Sequence, residues 1–190
     1  MSEHSDYKIK ATKLLEGLDN EKRVSLLAEL LELYDVLHQK KREKFSRSVP
    51  LPDLFVDRWE RASSLNFGIG TSMYDSCLVL GDVNVGENTW IGPNVILDGS
   101  GGLKIGDNCS ISANVQIYSH DSVSWAISGG EASYDYAETC VGSNCYIGPN
   151  VVIAKGVSIG SGAVVGANSF VNKDVVAGAR VAGNPAKPIE

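Results

Sequence analysis

The sequence predicts a mainly β molecule, a parallel β-helix preceded by a small α-helical region, on three observations. An aliphatic residue recurs every six positions from Val79 to Val171, glycine follows it at seven of these recurrences, and a 3.6-residue apolar spacing is confined to the N-terminal segment. The expected organisation is an α-helical region over residues 1–62 and a β-helix over 63–190, with a loop projecting at about 121–139.

The N-terminal elements come first. Val24, Leu27, Leu30, Leu31, Tyr34, Leu37 and Phe45 stand at helical spacing with charged residues between them, which predicts an amphipathic helix from about Asn20 to Phe45. Asp19 or Asn20 can accept from its first free N–H groups, and Glu21 suits the positive first turn. A shorter helix, roughly Tyr7 to Leu15, precedes it. Lys40, Lys41, Arg42, Lys44 and Arg47 form a basic stripe that reads as a solvated face matched to the helix C-terminus. Pro50 and Pro52 end the helix, and the stretch from Asp57 to Arg61 suggests one more short turn.

From Val79 the rule changes. The aliphatic anchors are Val79, Val85, Ile91, Leu97, Ile105, Ile111, Ile117, Val141, Ile147, Ile153, Ile159, Val165 and Val171. Each step is six except two: Leu97 to Ile105 is eight, with Gly99-Ser100-Gly101-Gly102 absorbing the extra pair, and Ile117 to Val141 is 24. A small or β-branched residue stands four places after most anchors, as at Thr89, Cys109, Cys145 and Ala163. A period of six would smear apolar residues around a helix, so the repeat predicts a solenoid of short stacked strands. Thirteen anchors at three per coil predict a little over four coils. Gly160-Ser161-Gly162 with Gly166 has the look of a dinucleotide-binding loop but opens no helix, and its glycines fall where hexad turns need them.

Composition narrows the function. A formal net charge of −6 argues against nucleic-acid binding as a whole-chain property, and no apolar run approaches membrane-spanning length. The first 30 residues carry no apolar signal region, which predicts a cytoplasmic protein with Cys77, Cys109, Cys140 and Cys145 as free thiols. No cysteine or histidine spacing predicts a metal site, and Cys109 and Cys145 read as small apolar fillers.

Together, the hexads and the ending "VGANSFVNKDVVAGARVAGNPAKPI" (165–189) resemble the hexapeptide-repeat acyltransferase family. Within it the chain most resembles the sugar O-acetyltransferases of the maltose, galactoside and nodulation-factor type and the surface-polysaccharide acetyltransferases, the latter carrying stretches similar to "YSHDSVSWAISGG" (118–130) and "CYIGPNVVIAKGV" (145–157). The resemblance implies a left-handed coil, an exception to the usual crossover hand. It further implies a homotrimer, acetyl-CoA as acyl donor without a metal, and a saccharide acceptor meeting the donor in clefts between prisms, in surface-polysaccharide or lipopolysaccharide biosynthesis. No membrane or nucleic-acid partner is implied.

Acyl transfer to a hydroxyl needs a base, and histidine has a suitable pKa, about 6.5 when unperturbed. His120 is the one histidine of the repeat region, at a position resembling that of the family's catalytic histidine. Asp121 or Glu131 can orient its ring, as can a backbone carbonyl. The resemblance further implies acceptor-binding roles for Asn94 and Asp98, and donor contacts for Pro149, Ala167, Asn172, Lys173 and Lys187. Pro149 lacks the hydroxyl of the serine frequent there, and Lys187 lacks the fork of the usual arginine. Trp125, Tyr134 and Tyr136 can stack on a sugar face or form the loop's own core.

Three alternatives stand beside this reading. One is N-acetylation of an amino sugar, free or nucleotide-linked. Another is a zinc carbonic anhydrase, which one prism histidine cannot supply with ligands. The last is a β-helix without catalysis, serving as an assembly module.

Overall fold

The computed structural model describes residues 3–14 and 21–190. The chain forms two compact units, 1–56 and 57–190. In the first, α1 (Glu3–Leu14) packs along α2 (Glu21–Phe45), with Ala11 and Ala28 fully buried, and α3 (Leu51–Phe55) follows. Tyr7 donates to Asp35 at 2.8 Å across the helix pair. Of the predicted apolar stripe, Leu30 is exposed and the other six residues are partly buried. The expected capping residues Asp19 and Asn20, and Leu15, lie outside the described residues.

The second unit opens with α4 (Arg58–Ser64), six residues before the boundary read from the sequence. Its start is a capping box: Asp57 accepts from the Trp59 N–H and Glu60 accepts from the Asp57 N–H. Ala62 is fully buried in the core of the β-helix, Arg61 pairs with Asp75 at 3.1 Å, and Arg58 lies over the Tyr74 ring.

The rest is a parallel β-helix whose rungs repeat every 18 residues where the hexads run unbroken, as in the pairing of Ser72 with Trp90 and Tyr146 with Val164. One face stacks Ser72–Met73, Trp90–Ile91, Ser110–Ile111, Tyr146–Ile147, Val164–Val165 and Arg180–Ala182, with Lys187–Pro188 added antiparallel. A second face carries Gln116–Ile117, Val152–Ile153 and Phe170–Val171, and a third carries Thr139–Val141 and Ser158–Ile159. The long strands Leu78–Val85 and Ile96–Ile105 turn the corner from second to third face. First-face rungs at both ends make the stack about six coils deep, more than the counted anchors indicated: Met73 stands six before Val79 without being one of the aliphatic anchors, and Val181 comes ten after Val171. Every anchor from Val85 to Val171 is buried, and Val79 packs against that core.

Two features of the corners hold the coils in register. Three places after an anchor stand Asn88, Asn94, Asn108, Asn114, Asn144, Asn150 and Asn168, all with φ between 52° and 62°, and Gly156 and Gly162 take that place elsewhere. Asparagine and glycine tolerate this left-handed conformation best, so the hexad's turn is written in residue type as well as spacing. The Asn114 amide donates to Asn150 and the Asn150 amide to Asn168, both at 3.0 Å. On the inside, Thr71, Thr89, Cys109 and Cys145 donate from their hydroxyl or thiol to Gly86, Gly106, Gly142 and Gly160 carbonyls of the next coil. All four cysteines are free thiols. The Cys145 thiol alongside and burial together push the Cys109 thiol well above its ordinary range, consistent with a filler and not a nucleophile.

Candidate functional site

The site grows from one corner of the prism. Leu97 and Ile117 pair on adjacent rungs of the second face, so Asp98 and the Tyr118-Ser119-His120 stretch leave that face at the same corner. The glycine-rich insertion after Asp98 widens the corner. A Cβ at Gly101 would run into the Ser119 carbonyl, and the Gly101 N–H donates to the Ser119 hydroxyl at 2.8 Å.

Asp98 fills the space this opens. Its side chain is 1% exposed, and it accepts from four donors: the Ser100 hydroxyl at 2.6 Å, the Ser100 N–H at 3.0 Å, the Ser119 N–H at 3.2 Å, and His120 Nδ1. Burial works to raise the pKa of this carboxyl, but the Ser100 bonds and those of His120 and Ser119 outweigh it and hold it below the usual carboxylate range. An ionised Asp98 takes a proton donor at Nδ1, which leaves Nε2 with a free lone pair on a ring 28% exposed.

Neither Asp121 nor Glu131 meets the imidazole, a correction to the sequence reading. Asp121 accepts from the Val123 N–H and pairs with Lys155 at 3.0 Å, both of which lower its pKa, and Glu131 is an exposed loop residue. Asp98, read as an acceptor contact, is the partner instead. Asn94 lies at the opposite edge of the second face, in the left-handed turn series, so the fold does not bring it to this corner.

The projecting segment is structured. His120–Asp121 pairs antiparallel with Asp135–Tyr136, and α5 (Val123–Ile127) lies between them. The Tyr136 and Tyr134 rings stack beside the imidazole, centroids 5.8 and 6.2 Å away, and Trp125 meets Tyr134 edge-on at 5.6 Å. The neck is closed by the Thr139 hydroxyl donating to the Tyr118 carbonyl at 2.7 Å and the Ala137 N–H donating to Ser119 at 2.9 Å.

An open cleft of about 450 Å³ runs from this corner over the second face, lined by Tyr118, His120, Val123, Val152, Lys155 and Phe170 among others. Lys155 escaped the sequence reading, although Lys173 stands 18 residues, one coil, after it. Of the residues assigned to the acyl donor, Asn172 and Lys173 leave the second face at the His120 corner on a later rung. Pro149 and Ala167 lie on the other edge, the Pro149 carbonyl accepting from the Asn168 N–H at 2.9 Å. Lys187 is exposed on the antiparallel C-terminal strand opposite Ala182. Four of the five donor candidates thus lie on the two edges of the face that carries the cleft, and Lys187 stands on the strand added to the first face. Among the described residues no group of three or more His, Cys, Asp or Glu is placed to hold a metal, and no helix is long and apolar enough to cross a membrane.

Comparison with known proteins agrees with this architecture. A family model described as bacterial transferase hexapeptide (six repeats) matches residues 141–173, and one described as hexapeptide repeat of succinyl-transferase matches 82–119. Protein CapG of Staphylococcus aureus is 39% identical over 89 residues, 46% of this chain and 52% of that protein. The chain thus spans about half the length of the curated relative it matches. A maltose O-acetyltransferase from Clostridium difficile 630 superposes with a TM-score of 0.56 at 26% identity, over 85% of this chain and 88% of its own. The N-acyltransferase AntD from Bacillus cereus, in complex with dTDP and 3-hydroxybutyryl-CoA, superposes with a TM-score of 0.59 over 65% and 70%, and at 23% identity shows the fold alone. Two stretches of the prism, 82–119 and 141–173, are thus similar to hexapeptide-repeat transferase models, and 85% of the chain shares the architecture of the maltose enzyme.

Proposed function

We propose that this protein transfers an acetyl group from acetyl-CoA to a hydroxyl of a saccharide, with His120 as general base. The observation that carries the reading is the buried Asp98 held against His120 Nδ1 at the rim of the cleft. Asp98 fixes the tautomer that leaves Nε2 basic, and it steadies the imidazolium formed when Nε2 takes the acceptor proton. The acceptor oxygen attacks the thioester carbon, the tetrahedral intermediate collapses, and CoA leaves as a thiol, its sulfur taking up the proton that His120 received. The thioester is already activated, so no covalent enzyme intermediate is needed. The exposed aromatic rings Trp125, Tyr134 and Tyr136 stand at the excursion's surface, suited to a sugar face. Pro149, Ala167, Asn172, Lys173 and Lys187 line the path assigned to CoA, the lysines meeting its phosphates as point charges. The enzyme works as a cytoplasmic homotrimer, neighbouring prisms completing each cleft, on a surface-polysaccharide or lipopolysaccharide precursor.

Transfer to the amine of an amino sugar uses the same site. Asp121 and Asp135 share the single cation Lys155 beside His120, a net negative rim that favours a cationic acceptor. Thiol release from acetyl-CoA, measured with a panel of sugars and amino sugars, separates the two. Wild-type protein is expected to turn over on at least one of them, and His120→Ala to lose about 10²–10⁴ in kcat while still binding CoA. Undiminished turnover by the folded variant would remove His120 as the base. Absence of both CoA binding and turnover from the wild type would establish the assembly-module reading instead.

A further inference from the structure

The antiparallel pair that carries His120 contains an arrangement that ought to open it. Next to the His120–Tyr136 pair, Asp121 stands directly opposite Asp135. Like charges facing each other across a two-stranded ladder repel, and this ladder has no third strand to support it. One cation resolves the conflict. Lys155 Nζ lies 3.0 Å from Asp121 Oδ2 and 3.4 Å from Asp135 Oδ2. It belongs to neither strand: it follows the Val152–Ile153 rung of the neighbouring coil. Both carboxylates are also tied into the excursion, Asp121 by the Val123 N–H and Asp135 by the Ser124 hydroxyl, each at 3.0 Å. A single ammonium thus fastens two facing carboxylates to the prism wall, one residue from His120.

We propose that Lys155 is a positioning residue that holds the His120 hairpin closed against the prism, and so keeps Tyr134 and Tyr136 beside the imidazole. Asp98 holds one edge of the ring from the core and acts independently of this clamp. Because its charge is already shared by two carboxylates, Lys155 is poorly placed to serve as an anion site for substrate.

The kinetic arm of the test rests on the acetyltransferase reading, and the first arm does not. Amide hydrogen exchange over residues 119–137 is compared in wild type, Lys155→Met, Lys155→Arg and the double variant Lys155→Met with Asp135→Asn, each with its thermal melt. Lys155→Met is expected to speed exchange in this segment alone, by about fivefold. The double variant, which removes the repulsion along with the clamp, is expected to restore protection, as is Lys155→Arg. Exchange in Lys155→Met equal to wild type would overturn the proposal, even if the protein proved inactive on every acceptor. Where wild type turns over, Lys155→Met is expected to raise acceptor KM more than it lowers kcat, with recovery in the double variant. Restored protection without restored KM would overturn it too, because Lys155 would then be acting on substrate directly.

Discussion

The four hydrogen bonds at Asp98 compete with its burial, and their win is what makes the carboxylate usable. Two of them come from Ser100 inside the glycine insertion, so a stretch that looked like an accommodation of length is the mould in which the carboxylate sits. Asp98→Asn preserves shape but turns one arm into a donor facing Nδ1–H, which favours the tautomer with the proton on Nε2. We expect kcat to fall about 10²–10⁴-fold with CoA affinity unchanged, read by steady-state kinetics beside a binding titration. The same carboxylate links folding to pH. Its folded pKa lies below its ordinary value of 3.8, so its stabilisation is present in full above that value and fades as pH falls through the folded one. Thermal melts below about pH 4 should therefore drop faster in the wild type than in Asp98→Asn. His120 stood out in the sequence as the proposed base because the hexads stop there. Its partner did not, since chain proximity pointed to Asp121 while the true neighbour comes from the preceding coil, 22 residues away.

Apart from the two long strands, each element of the prism is two or three residues of strand and a turn, too short to hold shape alone, so register is kept at the corners. The anchors made the strands readable from period alone. What the anchors could not give was the depth of the stack, because Met73, though in step with the hexads, is not a branched aliphatic residue, and Val181 breaks the step of six. The asparagine turns were legible in principle, since the same residue type recurs three places after the anchor. Asn150 tests their weight, standing mid-ladder between Asn114 and Asn168 with φ at 59°. Asn150→Ala should cost about 1–2 kcal/mol in a thermal or denaturant melt, the price of a left-handed alanine. Asn150→Gly keeps the conformation, loses only exposed side-chain bonds, and should cost clearly less.

At the scale of the molecule, the division between units falls after Val56, because α4 contributes a buried core residue at Ala62 and an ion pair to Asp75. The sequence reading put the Asp57–Arg61 turn in the N-terminal region ending at 62, since one buried alanine leaves no pattern to tie it to the prism. A fragment of residues 57–190 should fold cooperatively with β circular dichroism, and one starting at residue 66 should melt earlier, having lost α4 with its capping box. The projecting segment follows a different logic. Ile117 and Val141 are both buried in regular rungs, and the neck between them is stapled by Thr139, whose hydroxyl donates to Tyr118 while accepting from the Gly156 N–H at 2.9 Å. Beyond that staple the core has no interest in what the chain does. The excursion is therefore built as a cassette: its length and chemistry could change without repacking a single coil, while the scaffold beneath it stays as it was.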